Sequence, residues 1–349
     1  MSPFARFGFL FPLFTSLILS GMSLAESPPA AATDAEASVE EIRAVLEAID
    51  PYLPKNEVAA EVDAFGSTSM DTLAHGWAIG FKKFHPECKV VISAEGSETV
   101  FDRLAKNPTS VGMLSRPVTE EDLNKLRERG LKKPVAVMIA REALGIFVNE
   151  ANPIDSVTYD QMNQLFCAAN DPDQTITWDS VGVAAGYAKH PVAVIARGPE
   201  SGTAEFIRDY LFRGRTMRPA AATFASNAKL IAAIENNPYA ITISGLKCGS
   251  HGAKALHLRH ETTEIPSTDH AILLGRYPLV RPFSLVLDVG QTDAKSIASR
   301  EFVRYALSQA GQMQAILAGF FPFDPPTLRG EMLKVDFKGP NAAPAPTPN

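Results

Sequence analysis

Four times along this chain, a short apolar segment leads into a turn of glycine, serine or threonine, and an amphipathic helical pattern follows at once. The apolar segments are residues 62–65, 90–92, 111–114 and 192–196. Short strands that alternate with helices predict an α/β architecture with mainly parallel sheets. Ligands bind at the strand ends of such sheets, so the four turns are candidates for one binding cleft.

The turns carry residue types that bind anions. The first N–H groups of a helix lack intrahelical acceptors, and the helix dipole places partial positive charge there. Serine and threonine hydroxyls add donors, and glycine lets the backbone approach a ligand closely. Taken singly, such turns are ordinary helix caps, and their spacing does not name the anion. The candidate ligand-binding residues are Ser67, Thr68, Ser69, Ser97, Ser115, Arg116, Arg197, Ser201, Gly202 and Thr203.

Arginines stand beside two of these turns, and they would supply the charge that the chain as a whole does not. The formal net charge is -6, so any anion site must be local. The guanidinium groups of Arg116 and Arg197 match two oxygens of an anion at once. No basic stripe with interleaved aromatic residues occurs, which argues against nucleic acid as a partner. No elbow, Walker or His-Glu-x-x-His motif occurs, so we expect neither an enzyme nor a cofactor.

Both ends of the chain differ from its body. Residues 1–25 have a charged Arg6, an apolar run and a small-x-small cleavage pattern, which predict a signal peptide and a periplasmic protein. An uncleaved membrane anchor is the alternative. Residues 26–57 are predicted to be a linker with a short helix that begins with a capping box of Ser38 and Glu41. Residues 331–349 are predicted to be a disordered tail.

In chain order, the turns read Gly66-Ser67-Thr68, Gly96-Ser97, Ser115-Arg116-Pro117 and Arg197-x-x-x-Ser201-Gly202-Thr203. This series resembles the phosphate-binding proteins of high-affinity phosphate ABC transporters, in a branch that reads Ser-Arg-Pro at the third turn. The resemblance implies a two-lobed, type II periplasmic-binding fold with a cleft between the lobes. Lobe one would comprise residues 58–140 and 279–330, and lobe two residues 141–278. Two crossover strands would join them near residues 140–147 and 277–284.

The same resemblance implies a function. The chain would be a monomeric solute-binding protein that captures inorganic phosphate and delivers it to an ABC permease of the inner membrane. Alternatives are another oxyanion as the ligand, or a phosphate sensor or interaction protein that uses the same fold. Residue by residue, the positions that match the family's phosphate site are Thr68, Ser69, Ser97, Arg197, Ser201, Gly202 and Thr203.

One departure from the family concerns selectivity. Many members carry Asp where this chain has Arg116, and that Asp accepts a hydrogen bond from protonated phosphate and so rejects sulfate. Glu95, Glu98 or Glu200 could replace the missing acceptor. Each is also the kind of carboxylate that stands exposed at a helix start. The sequence therefore leaves phosphate selectivity without its usual residue.

The three cysteines are Cys88, Cys167 and Cys248. Two of them fall in the second lobe implied by the resemblance, and we expect Cys167 and Cys248 to form a disulfide, as an oxidising compartment permits. His251, three residues after Cys248, invites a zinc reading together with nearby histidines. The spacing matches no paired-ligand pattern, so we predict solvated loop histidines and no metal site.

Overall fold

The computed structural model describes residues 34–168 and 175–336. The predicted signal peptide and residues 337–349 of the predicted tail lie outside them. Within the described ranges, no helix has the length and apolarity needed to cross a membrane.

The chain alternates strands and helices over most of its length, as predicted. The strands are β1 Val62–Gly66, β2 Val90–Ser93, β3 Val111–Leu114, β4 Pro134–Asn149, β5 Ser156–Thr158, β6 Ala193–Arg197, β7 Ala222–Phe224, β8 Ala240–Gly245, β9 Ala253–Ala255, β10 His257–His260, β11 Thr263–Ile265 and β12 Val280–Asp288. The α-helices are α1 Asp34–Glu47, α2 Asp71–Phe81, α3 Val100–Lys106, α4 Glu120–Glu128, α5 Tyr159–Phe166, α6 Gly202–Phe206, α7 Asn227–Glu235, α8 Asp269–Leu273, α9 Ala294–Leu307, α10 Gln309–Leu317 and α11 Pro325–Val335.

A nine-stranded mixed sheet runs through both lobes. Its order is β2-β1-β3-β12-β4-β8-β6-β7, with β9 also paired to β4. The outer strands pair in parallel (β2-β1-β3 on one side and β8-β6-β7 on the other), as the alternating pattern predicted. The strands that connect the lobes pair antiparallel. A second, three-stranded sheet has the order β11-β10-β5.

The 16-residue strand β4 is shared by the two lobes. Its residues 134–143 pair with β12, and its residues 144–148 pair with β8. The backbone therefore passes from one lobe to the other inside a hydrogen-bonded strand. The predicted limits of the lobes, which stay a prediction, fall at this strand and just before β12.

Each lobe has its own apolar core, as expected for two folding units of this size. Trp77, Phe81 and Phe302 are fully buried in the core of lobe one. Trp178 and Phe212 are fully buried in the core of lobe two. The two large clusters flank opposite ends of the shared strand β4, which leaves the space between the lobes for a ligand.

Two predictions about the ends of the body are wrong. Helix α1 begins at Asp34, so position 38 lies inside the helix and not at its start. Helix α11 continues to Val335, past the start of the predicted disordered tail. It stays ordered because Glu331 is buried on it and accepts a hydrogen bond from the N–H of Met138 at 3.0 Å.

Helix α1 contacts both lobes. Its Glu41 carboxylate lies 3.1 Å from Nδ1 of His270 on α8, in lobe two. The carbonyl of Leu46 accepts a hydrogen bond at 2.9 Å from Gln309 on α10, in lobe one. The sequence left the role of this helix open, and the structure places it across the outside of both lobes.

The predicted disulfide is also wrong, because all three cysteines are free. Cys167 packs in the core of lobe two, with its thiol 3.8 Å from Oδ1 of Asn163. Cys248 lies on a separate side of the lobe, against the apolar cluster under α7. Both residues belong to lobe two, but their side chains pack into different clusters.

Candidate functional site

The first predicted turn forms a one-turn helix directly after β1. Gly66 has a φ of +129°, a conformation that favours glycine, and a β-carbon there would collide with the carbonyl of Met113. Ser67 then caps the turn by accepting a hydrogen bond from the N–H of Ser69 at 3.2 Å. This geometry turns the side chains of Thr68 and Ser69 towards the other lobe.

The fourth turn brings a helix start of lobe two against the hydroxyls of lobe one. Ser201 caps α6 by accepting a hydrogen bond from the N–H of Ala204 at 3.1 Å. A β-carbon on Gly202 would collide with the Oγ atoms of both Ser97 and Ser115, which lie 3.4 Å from each other. Only glycine lets the two lobes approach this closely, which explains the Ser-Gly-Thr sequence.

Arg197 spans the cleft from the end of β6. Its Nη2 donates to Oγ1 of Thr68 at 2.9 Å, which joins lobe two to lobe one. Its Nη1 donates to Oδ1 of Asn227 at 2.9 Å. Burial lowers the pKa of Arg197, and the nearby charge of Arg281 lowers it further. The site therefore concentrates positive charge where water has little access.

A fully buried arginine that the sequence analysis did not single out lies at the centre of this cluster. Arg281 on β12 lies directly opposite Glu142 on β4, and its Nε donates to Oε2 of that carboxylate at 2.6 Å. Its Nη1 donates to the carbonyl of Ser115 at 2.9 Å. Its Nη2 donates to Oγ1 of Thr203 at 2.9 Å and to Oγ of Ser69 at 3.2 Å. One guanidinium thus contacts turns from both lobes.

Arg116 is not part of this cluster. Its Nη1 donates to Oδ2 of Asp122 at 2.7 Å, and its Nε lies 2.8 Å from Oε1 of Glu205 on α6. Burial opposes its charge, but the two carboxylates raise its pKa on balance. Asp122 responds in the opposite sense: burial acts against its charge, yet the hydrogen bond from Arg116 lowers its pKa. Arg116 therefore forms an ion pair between the lobes and does not face the cavity.

A cavity of about 220 Å³ opens between the lobes beside Arg197. Polar side chains from both lobes line it, together with Gly245 at the end of β8. Its lining includes Thr68, Ser69, Glu142, Arg197, Gly245 and Cys248. Burial raises the pKa of the Cys248 thiol, and the charge of Glu142 raises it further, so this thiol is protonated at neutral pH.

One of the histidines after Cys248 pairs with a carboxylate. His257 pairs with Glu264 in the hairpin of β10 and β11. Over residues 34–168 and 175–336, no three His, Cys, Asp or Glu side chains come together in a way that could hold a metal ion.

Comparison with known proteins identifies the family. The family model for the PBP superfamily domain matches residues 32–310. The chain belongs to the PBP superfamily.

The chain is similar to two curated proteins. The phosphate-binding protein PstS of Pseudomonas aeruginosa is 28% identical over 284 residues, which cover 79% of this chain and 88% of that protein. Protein SphX of Synechococcus elongatus is 24% identical over 287 residues, which cover 80% of this chain and 83% of that protein. The resemblance seen in the four turns is thereby confirmed.

Two solved structures share the fold. An ABC-type phosphate transport receptor from Vibrio cholerae superposes with a TM-score of 0.60 at 22% identity, over 75% of this chain and all of that one (100%). A phosphate-binding protein from Stenotrophomonas maltophilia gives 0.55 at 12% identity, over 78% of this chain and 93% of that one. The predicted two-lobed α/β fold is confirmed.

Both residues that the sequence analysis missed in this PBP superfamily member carry a signal in the sequence. Glu142 is the only acidic residue in the two segments predicted to cross between the lobes, and Arg281 is one of the two arginines there. A charge at a buried strand position needs a partner, because an unpaired buried charge is costly. Each of the two residues could therefore have been proposed as the partner of the other.

Proposed function

We propose that this chain is a periplasmic solute-binding protein that captures inorganic phosphate between its lobes and hands it to an ABC permease. The observation that carries the proposal is that donors from the two lobes contact each other between the lobes. Ser69 lies 3.2 Å from Thr203, Ser97 and Ser115 lie against Gly202 at the start of α6, and the guanidinium of Arg197 donates to Thr68. Such groups hold a compact anion by hydrogen bonds and need no large net charge.

The relatives support the same ligand and role. The protein from Pseudomonas aeruginosa is named for phosphate binding, and the receptor from Vibrio cholerae for ABC-type phosphate transport. Closure of two lobes over a ligand is the hinge mechanism that such receptors use. The proposed role is therefore capture and delivery of the anion, without chemical change.

Calorimetric titration tests the proposal. The mature protein is unfolded and refolded to remove any carried ligand, and phosphate and sulfate are injected separately at neutral pH. We expect phosphate affinity in the micromolar range or tighter. The variant Arg197→Ala loses charged hydrogen bonds at the cleft, and its phosphate affinity should fall roughly 100-fold.

A matched control removes an arginine elsewhere in the same protein. Arg127 on α4 is exposed and pairs with Glu120 on the surface, so Arg127→Ala should keep the affinity of the wild type. No heat with either anion would refute the proposed function. Unchanged phosphate affinity in Arg197→Ala would refute the assignment of the site. Another oxyanion as the true ligand would appear as tighter binding of sulfate than of phosphate.

A further inference from the structure

The guanidinium of Arg281 is almost fully occupied by protein acceptors. Its Nε donates to Glu142, and its Nη1 donates to the carbonyl of Ser115. Its Nη2 donates to the hydroxyls of both Ser69 and Thr203, so four of its five N–H groups have an acceptor. The side chain is fully buried and lies outside the lining of the cavity. Arg281 is therefore placed to act on a ligand through its neighbours.

The two hydroxyls that Arg281 contacts have to be acceptors on that side. A guanidinium has only donors, so the oxygens of Ser69 and Thr203 accept, and each hydroxyl keeps its own proton to donate elsewhere. The two oxygens lie 3.2 Å apart across the lobes, so one of these protons can lie between them. Among the described residues, neither oxygen has a further hydrogen-bond partner. At least one hydroxyl proton is therefore left for an acceptor from outside this group.

We propose that Arg281 is a positioning residue, which turns the hydroxyls of Ser69 and Thr203 into donors to the bound anion. The inference rests on the proposed function, and it adds a residue that sets phosphate affinity without touching phosphate. Hydrogen bonds in a chain polarise one another, so a hydroxyl whose oxygen accepts from a cation becomes a stronger donor. The anion supplies the acceptor, because its unprotonated oxygens only accept.

The same contacts make the effect depend on closure of the lobes. Ser69 belongs to the first turn of lobe one, Thr203 lies at the start of α6 in lobe two, and one nitrogen of Arg281 reaches both. Arg281 is itself held by Glu142, directly opposite on the neighbouring strand. Both hydroxyls are oriented at once only when the lobes meet, so the full set of donors exists only in the closed form.

The test is a double-variant cycle on phosphate affinity, measured by calorimetry on refolded protein. One arm replaces the ion pair (Glu142→Gln/Arg281→Met), which leaves the net charge of the site unchanged. The other arm removes the two hydroxyls (Ser69→Ala/Thr203→Val). Each arm alone should lower the affinity at least about 10-fold, since one hydrogen bond to a charged group is worth roughly that factor. The combined variant should be less than about 3-fold weaker than the hydroxyl arm, because the guanidinium then has no hydroxyl to orient.

A matched control removes a hydroxyl at the same site whose donor is Arg197. Oγ1 of Thr68 accepts from Arg197, so Thr68→Val should leave the action of Arg281 intact. In a Thr68→Val background, replacing the ion pair should keep its full effect of at least about 10-fold. A residue that only supports the fold or the hinge would lower affinity by the same factor in every background, because it orients no particular hydroxyl.

A conservative variant covers the case in which the protein with the replaced ion pair does not fold. Arg281→Lys keeps the charge but loses the planar fork that reaches both hydroxyls. It should lower phosphate affinity in the otherwise unchanged protein. Once both hydroxyls have been removed, it should change the affinity less than about 3-fold.

The titrations separate this inference from the proposed function. Equal losses of affinity with and without the two hydroxyls overturn the inference, and so does a replaced ion pair that leaves the affinity unchanged. Loss of the ion-pair effect in the Thr68→Val background also overturns it. In each of these cases the wild type still binds phosphate, and the proposed function stands. If the wild type binds neither phosphate nor sulfate, the proposed function is refuted and the inference with it.

Discussion

The buried ion pair between Arg281 and Glu142 allows one prediction to be worked out in some depth. The substitution Arg281→Met removes the guanidinium but keeps an unbranched apolar side chain of similar length. It leaves Glu142 as an uncompensated charge in a buried position, which costs about 3–5 kcal/mol. It also removes the hydrogen bonds to Ser115, Ser69 and Thr203, each worth about 1 kcal/mol net. The effects overlap, so we expect a loss of about 4 kcal/mol in the free energy of unfolding.

Urea denaturation in phosphate-free buffer, followed by tryptophan fluorescence, measures this loss. Trp77 in lobe one and Trp178 in lobe two are the only tryptophans of the chain and both are fully buried, so each lobe reports its own unfolding. The double variant Glu142→Gln/Arg281→Met leaves no unpaired charge and should regain part of the loss. The exposed Arg127→Met is the control and should change stability by less than about 0.5 kcal/mol.

Two results would refute the reasoning. The first is a free energy of unfolding of Arg281→Met within about 1 kcal/mol of that of the wild type, because the guanidinium would then contribute no more than a surface contact. The second is a loss of unfolding free energy in the double variant that equals the sum of the losses in the two single variants, because the charges would then not be coupled.

Three further predictions concern closure, pH and the thiols. Gly202→Ala places a methyl group against two serine hydroxyls of the other lobe, so phosphate affinity measured by calorimetry should fall at least about 10-fold in a folded protein; unchanged affinity would show that the lobes do not meet there. The pKa of Asp122 is lowered in the folded state, so its contribution to stability is present above the ordinary pKa of an Asp and is lost as the pH falls through the folded pKa. The difference in unfolding free energy between wild type and Asp122→Asn should therefore shrink from pH 7 to pH 3. A constant difference would contradict the ion pair with Arg116. Thiol titration of the unreduced, urea-unfolded protein should find three free thiols per chain, whereas a single thiol would restore the predicted disulfide.

Local patterns predicted most of the fold. The four strand–turn–helix units lie where the sequence placed them, because hydrophobic period, glycine and cap residues are local signals. The start of α1 was misplaced because Ser38 is a good cap residue by type, whereas the helix begins at Asp34. The later turns of the helix pack on both lobes, and this tertiary effect cannot be read from the local sequence. The end of α11 was misplaced for a similar reason, because the burial of Glu331 depends on a strand nearly two hundred residues earlier.

The candidate site was predicted only in part. The predicted serines, threonines and Arg197 sit beside turns that can be read locally, and their role in binding the ligand stays a prediction. Arg116 was assigned to the ligand because its carboxylate partner Glu205 lies far along the chain, in the other lobe. Glu142 and Arg281 were missed because no turn marks them, and only the pairing of the two crossover strands brings them together.

The shared strand β4 has a mechanical consequence. Because both crossovers are strands in one ladder, the pivot between the lobes is a two-stranded ribbon, with a register irregularity between Phe283 and Ser284. Opening therefore changes the twist of that ribbon and does not require a linker to unfold. Glu142 and Arg281 lie on the ribbon itself, so a ligand that engages them exerts force close to the axis of rotation. Because the outer rim of the cleft lies farther from that axis than Glu142 and Arg281 do, a rotation there moves the rim more than it moves these two residues.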